Sequence, residues 1–479
     1  MGQEIHDSRF RKQDFEHFGK RLKQETDLLK QWFETGRFSH SSHIAGFELE
    51  TWLLDRELEP LADNERLLER LKDPMVTPEL ARFNIELNTD PVALSDAAFS
   101  RSERQIAGTW AHCQEVAEGL DARLLMTGIP ANLRESSLRL ENMSAMLRYR
   151  ALNEQVLRSR KGRPLVLDIQ GEEHLHLEHH DVMLESAATS FQLHLQVTPE
   201  NAVRYYNASV IASAPVVAVA ANSPYLFGKD LWAETRIPLF EQAVDVGGFD
   251  GAAFGPIRRV SFGSGYVRQS LFELFEENEQ HFPILLAEHM EEAPERMDHL
   301  RLHNGTIWRW NRPLIGFDGD GSPHLRIEHR VIPAGPSLAD GMANAAFYYG
   351  LAESLASAEQ APEAELDFIT ARDNFYAAAR YGLRAPIRWP GLGEPRRGLR
   401  ELVLETLLPL AESGLARQGL DEAERAHYLG IIERRVESGR NGAQWQRDFV
   451  ARHGRDWGLL MRAYYENQAG QRPVHEWET

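Results

Sequence analysis

The sequence predicts an α+β protein: one antiparallel sheet packed on helices and finished by a helical C-terminal segment. Three observations carry this. Four stretches before residue 335 alternate apolar and polar side chains with a period of two, as strands with one buried face do. Long segments between them repeat apolar residues at helical spacing. After Pro336 the pattern is helical to the end, broken at APIRWPGLGEPRRG. Strands gathered early and helices late indicate one body, residues 1–350, with a helical segment, 351–479, packed on it.

Residues 10–38 read as a charged amphipathic helix, with Phe15, Phe18, Leu22 and Leu29 on one face. The first strand follows in HIAGFELETWLLD. Phe47, Leu49 and Thr51 point one way; Glu48 and Glu50 point the other. Residues 63–72 read as a surface helix. The second strand lies in TPELARFNIELNTDP, where Phe83, Ile85 and Leu87 alternate with Asn84, Glu86 and Asn88, and Glu79 sits in the turn before it. Residues 96–125 read as helical, as does LENMSAMLRYRALNEQVLRSR.

The cluster His174, His176, His179 and His180 has the spacing of an exposed strand and loop laced with acids, not of a zinc site. SFQLHLQV is the third strand, apolar at Phe191, Leu193, Leu195 and Val197, polar at Gln192, His194 and Gln196. Residues 201–221 read as a long apolar helix containing Pro215. The Gly-rich stretches 247–256 and 263–265 read as loops, without the strand–GxGxxG–helix context of a dinucleotide site. DGDG at 318–321 lacks the remaining ligand positions of a calcium loop and reads as a tight turn. HLRIEHRVIP is the fourth strand, with Leu325, Ile327 and His329 on one face and Arg326, Glu328 and Arg330 on the other.

Composition narrows the function. A formal net charge of −19 over 479 residues argues against a general nucleic-acid binder and against an anionic membrane surface. A nucleotide is still admissible, because local arginines and metal ions can reverse the sign inside a cleft. The one cysteine, Cys113, rules out an internal disulfide and a thiolate metal cluster, and is expected as a buried apolar thiol. The first residues lack the apolar core of a secretion signal, and the longest apolar run, 210–221, is too short to span a bilayer. A cytoplasmic protein acting on small molecules is the expectation; composition leaves a homo-oligomer open.

Joined in one sheet, the four polar faces bring Glu48, Glu50, Glu86, His194, Glu328 and Arg330 to a shared surface. Gathering that many carboxylates without compensation is prohibitive. Divalent cations solve the problem, and oxygen ligands with a single imidazole suit Mg²⁺ or Mn²⁺. Carboxylate-held Mg²⁺ with converging arginines is what phosphoryl transfer from ATP requires.

These segments resemble glutamate–cysteine ligase family 2, bacterial carboxylate–amine ligases with the glutamine synthetase fold. The resemblance rests on GFELETWLLD, PELARFNIELNT, SFQLHLQV, ANSPYLFG, TRIPLF, HNGTIWRWNRP and LRIEHR, in the expected order. It implies a glutamine synthetase/guanido kinase-like sheet shaped as a funnel and flanked by helices. It further implies two or three Mg²⁺ (or Mn²⁺) ions held by Glu48, Glu50, Glu79, Glu86, His194 and Glu328, with ATP as co-substrate. Arg330 and Arg312 are then catalytic, steadying the transferred phosphoryl group, and Arg236, Asn222 and Thr306 line the ATP or acid-substrate site. The implied reaction joins the γ-carboxylate of glutamate to cysteine or another small amine through an acyl phosphate. In many relatives an acid follows the last arginine shortly; here Val331, Ile332 and Pro333 do. A guanidino-type kinase on the same scaffold would stop at phosphoryl transfer, and a regulatory Mg-nucleotide binder would hydrolyse nothing.

Overall fold

In the computed structural model, which describes residues 4–247, 258–393 and 395–479, eight strands form one antiparallel sheet. They are β1 (Ile44–Leu54), β2 (Val76–Pro78), β3 (Asn84–Asn88), β4 (Val92–Ala93), β5 (Arg123–Leu125), β6 (Phe191–Val197), β7 (Asn311–Phe317) and β8 (Pro323–His329). Their order is β7-β8-β6-β1-β3-β2, with β4 and β5 paired to the two ends of β1. β1 is the longest strand and touches four others, so its alternation orients the whole sheet.

The apolar face rests on the helix Leu338–Ala356, which packs in turn on the helix Ala202–Ala220. Phe47 stacks on Phe191, their ring centroids 5.7 Å apart, and meets Tyr349 edge-on. The Tyr349 hydroxyl donates to the His194 carbonyl at 2.8 Å, tying helix to strand. Both faces of β6 are buried, because the polar face is roofed as well.

The charged helix near the start spans Lys12–Thr35, and the surface helix Asn64–Leu71. The helix expected through residue 125 ends at Glu118. Asp121 then takes a left-handed conformation (φ 58°), and Arg123–Leu125 turns back to pair with Trp52, Leu53 and Leu54 of β1. Three residues are too few to show a strand period, so the segment reads as the tail of its helix. Leu165–Gln170 and His174–His179 form a separate hairpin. On it His174 and His176 are exposed beside Asp168, whereas His179 is buried against Asp181. DGDG is the turn joining β7 to β8, closed by Gly321 donating to the Asp318 carbonyl. Gly263 and Gly265 lie in a loop; residues 248–256 of the other Gly-rich stretch lie outside the described residues.

After Pro336 the chain is helical except for a two-residue ladder, Pro386–Ile387 with Arg397–Gly398. The helix Leu338–Ala356 runs through position 350, where the sequence suggests a division, and packs against the later helix Leu408–Gln418. A Cβ on Gly350 would strike the Ala411 carbonyl, and one on Gly414 the Gly350 carbonyl. These glycines let two helix backbones touch. Cys113 is buried, and burial pushes its thiol up to about 12. Among the described residues no helix is long and apolar enough to cross a membrane.

Candidate active site

Register places the polar residues of the sheet in rows, since directly opposed residues share a face. Glu50 faces Glu86, and Glu86 faces Thr77. In the next row Glu48 lies between Asn88 and Gln192. The third row runs Arg312, Glu328, His194, Gly46. A fourth runs Leu314, Arg326, Gln196, Ile44. Glu48, Glu50, Glu86, Gln192, His194, Arg312 and Glu328 of the first three rows, with Leu314 and Arg326 of the fourth, line a cavity of about 470 Å³.

Glu48, His194 and Glu328 offer ligand atoms within 4.8 Å of one another, the one such trio among the described residues. His194 Nε2 lies 3.0 Å from Glu48 and 4.0 Å from Glu328. Both ring nitrogens are buried without an aligned hydrogen-bond partner, which an imidazole held in place to ligate a cation would show.

Glu328 is gripped from two sides. Arg312 donates to both its oxygens at 2.7 and 2.8 Å, and Arg330 donates to Oε2 at 3.0 Å. Burial opposes ionisation, yet the two guanidinium groups hold the carboxyl well below the usual range. Each carboxylate oxygen keeps a second lone pair, so the arginine fork does not bar a cation. Arg330 also donates to Gln192, whose amide donates to Glu50 at 2.8 Å; the Ser190 backbone N–H reaches the other Glu50 oxygen at 2.6 Å. A continuous polar chain therefore crosses four strands, from Arg312 on β7 to Glu50 on β1.

The inner end of the cavity is acidic. Burial, then the neighbouring carboxylates Glu86 and Glu50, push Glu79 well up. Burial and Glu48 raise Glu86 to about 7. Burial raises Glu50 as well, against Arg330 and Arg236. Glu185, in the short 3₁₀ helix Val182–Ala187, joins this end and is raised to about 8 by burial and by Glu50. Carboxylates pushed toward neutrality in one pocket are only partly compensated by the nearby arginines, and a divalent ion supplies the rest. The donor set therefore fits hard cations.

The structure thus brings Glu48, Glu50, Glu79, Glu86, His194, Glu328, Arg312 and Arg330 together, and Thr306 lines the cavity too. The Thr306 hydroxyl is engaged by Arg259 at 3.0 Å and donates to the His303 carbonyl. Arg236 and Asn222 do not line the cavity. Arg236 lies behind Arg330, donating to its carbonyl at 2.6 Å. Asn222 bonds the Ala334 carbonyl and the Tyr464 hydroxyl, both at 2.8 Å. Two further wall residues are Arg148 and Tyr149, hydrogen-bonded to each other at 2.7 Å beside Glu79. They begin the helix Leu147–Ser159, whose pattern reads simply as core.

A curled antiparallel sheet with carboxylates and arginines on its inner face is the architecture of the glutamine synthetase-like ligases. The class is that of ATP-dependent carboxylate–amine ligases. The chain belongs to glutamate–cysteine ligase family 2, which it matches over residues 44–466. Its fold is similar to that of the glutamate–cysteine ligase of Francisella tularensis solved in complex with AMP. The TM-score is 0.57, at 12% identity over 90% of this chain and 89% of that one. A bifunctional glutathione synthetase from Pasteurella multocida matches at 11% identity, over 92% of this chain and 54% of that one, with a TM-score of 0.46.

Proposed function

We propose that this ligase activates a carboxylic acid as its acyl phosphate and transfers the acyl group to an amine. The leading pair is the γ-carboxylate of glutamate and the amine of cysteine or another small amine. The observation that carries this is the Glu48–His194–Glu328 trio with Arg312 and Arg330 fixed beside it.

Mg²⁺ or Mn²⁺ held by Glu48, His194 and Glu328, with Glu50, Glu79 and Glu86 as further ligands, would neutralise the phosphate oxygens of ATP. Arg330 and Arg312 are anchored through Glu328, so each guanidinium is held in place before substrate arrives. Arg236 is a positioning residue, fixing the backbone of Arg330 from behind. A carboxylate oxygen of the acid attacks the terminal phosphorus and ADP leaves. The amine nitrogen then attacks the carbonyl carbon, and phosphate departs carrying that carboxylate oxygen. Glu185, at the acidic inner end and outside that ligand set, suits an incoming ammonium group and can take its proton. No protein nucleophile is required, and buried Cys113 has no part.

The test is ATP, Mg²⁺ and glutamate labelled with ¹⁸O in its γ-carboxylate, against a panel of amines that includes cysteine. Label appearing in inorganic phosphate, dependent on both acid and amine, is the expected result. ADP release without phosphate would indicate a kinase instead. No turnover with any pair would indicate a regulatory nucleotide binder.

A further inference from the structure

Residues 4–7 tie two segments of the cavity wall together. The Arg148 backbone N–H donates to a Glu4 carboxylate oxygen at 3.2 Å. Arg148, Tyr149 and Leu152 line the cavity from the start of the helix Leu147–Ser159. Its N-cap residue, Met146, offers no capping side chain, so Glu4 supplies the acceptor for a first-turn N–H. Two residues on, the backbone N–H groups of His6 and Asp7 donate to one oxygen of buried Glu288, at 3.1 and 3.3 Å. Glu288 closely follows Leu286, another lining residue. Between the two anchors the Ile5 side chain is 1% exposed and belongs to the main core.

This strap hangs from a firmly seated element. It leads into the helix Lys12–Thr35, on which buried Glu25 pairs with His299 Nδ1 at 2.7 Å and accepts from the Leu300 backbone N–H at 2.9 Å. Leu300 and Arg301 line the cavity from the helix Asp298–Gly305. Residues 4–7 form no helix or strand themselves; the hydrogen bonds to Arg148 and Glu288, with Ile5, hold them down. A segment held in this way can open without unfolding what it covers.

The end it covers is the acidic one, where Tyr149 reaches Glu79 at 3.5 Å and Glu185 lies nearby. An acyl phosphate formed in the cavity meets two nucleophiles, the amine and water. A water oxygen adding to the acyl carbon expels phosphate and returns the free acid, so ATP is spent without an amide. We propose that residues 4–7 are a water-excluding strap, closing the acidic end against solvent while the acyl phosphate waits for the amine. This rests on the ligase function proposed above. A plug that merely obstructs the cavity is the competing reading, and the experiment separates the two.

Phosphate release from ATP, Mg²⁺ and glutamate is measured with and without the best amine of the panel above, for the wild type, Glu4→Ala and Ile5→Ser. Lys20→Ala, exposed on the helix Lys12–Thr35, is the control. Without amine, both strap variants should release phosphate about 10-fold faster than the wild type, and only when glutamate is present. With saturating amine, amide formation should stay within about twofold. The His6 and Asp7 amides should exchange faster with deuterium in both variants, and Lys20→Ala should match the wild type throughout. Glu4 is exposed, so Glu4→Ala decides the matter even if Ile5→Ser fails to fold. Amine-free release at the wild-type level overturns the strap. So does an equal rise with and without amine, as removal of a plug would give. A wild type that turns over no acid and amine pair would sink the ligase function as well, whereas strap variants as tightly coupled as an active wild type overturn only this inference.

Discussion

Glu50 and Glu86 stand directly opposite each other across β1 and β3, two carboxylates on one buried face. Like charges so placed repel, and the first relief open to the free protein is a proton. Burial, with Glu48 nearby, lifts Glu86 to about 7, whereas the unfolded chain ionises near 4.5. Between those values the folded state holds the extra proton, so stability is greatest at the acid end and falls as pH rises through about 7. In EDTA the melting temperature should therefore fall from pH 5 to pH 8, by the equivalent of at most about 3 kcal/mol. Mg²⁺ should flatten the slope by replacing the proton. A melting temperature that is level or rising in EDTA contradicts the repulsion.

Arg312 and Glu328 form the tightest ion pair of the site. Arg312→Ala leaves a buried carboxylate with Arg330 as its remaining guanidinium partner and should cost about 3 kcal/mol in chemical denaturation. Turnover should drop about a hundredfold, as loss of a preorganised charge clamp does. Glu50→Gln and Arg330→Ala should each lower turnover by a similar factor. Normal phosphate release from any of the three would remove that residue from the site.

Much of this site is legible in the chain because a strand's period of two assigns each residue a face without knowledge of its neighbours. Glu48, Glu50, Glu86, His194 and Glu328 needed only that rule and the assumption of one sheet. What period cannot supply is register. Arg326 shows its face but not the leucine and glutamine that stand opposite it. Glu185 sits in a six-residue 3₁₀ helix too short to show a period. Arg236 and Asn222 show the converse. Resemblance suggests contact with ligand, but the fold puts Arg236 behind the strand end and Asn222 among the C-terminal helices.

The C-terminal segment is joined to the body where glycines let backbones meet. Gly414→Ala would drive a methyl group into the Gly350 carbonyl. It should destabilise the protein by about 1–3 kcal/mol, the usual cost of overpacking, in urea titrations followed by tryptophan fluorescence. Gly108, whose added Cβ meets nothing within 4 Å, is the control, and Gly108→Ala should be neutral or slightly stabilising. Equal effects from the two substitutions would mean that the helices are not in backbone contact.

Cation binding on the inner face of the sheet is the claim on which the chemistry depends, and Mn²⁺ titration followed by electron paramagnetic resonance measures it directly. The wild type should bind two or three ions, and Glu48→Gln and His194→Ala should each lose at least one, or weaken it by about 10- to 100-fold. A wild type that binds none, or variants that bind as the wild type does, would contradict the account.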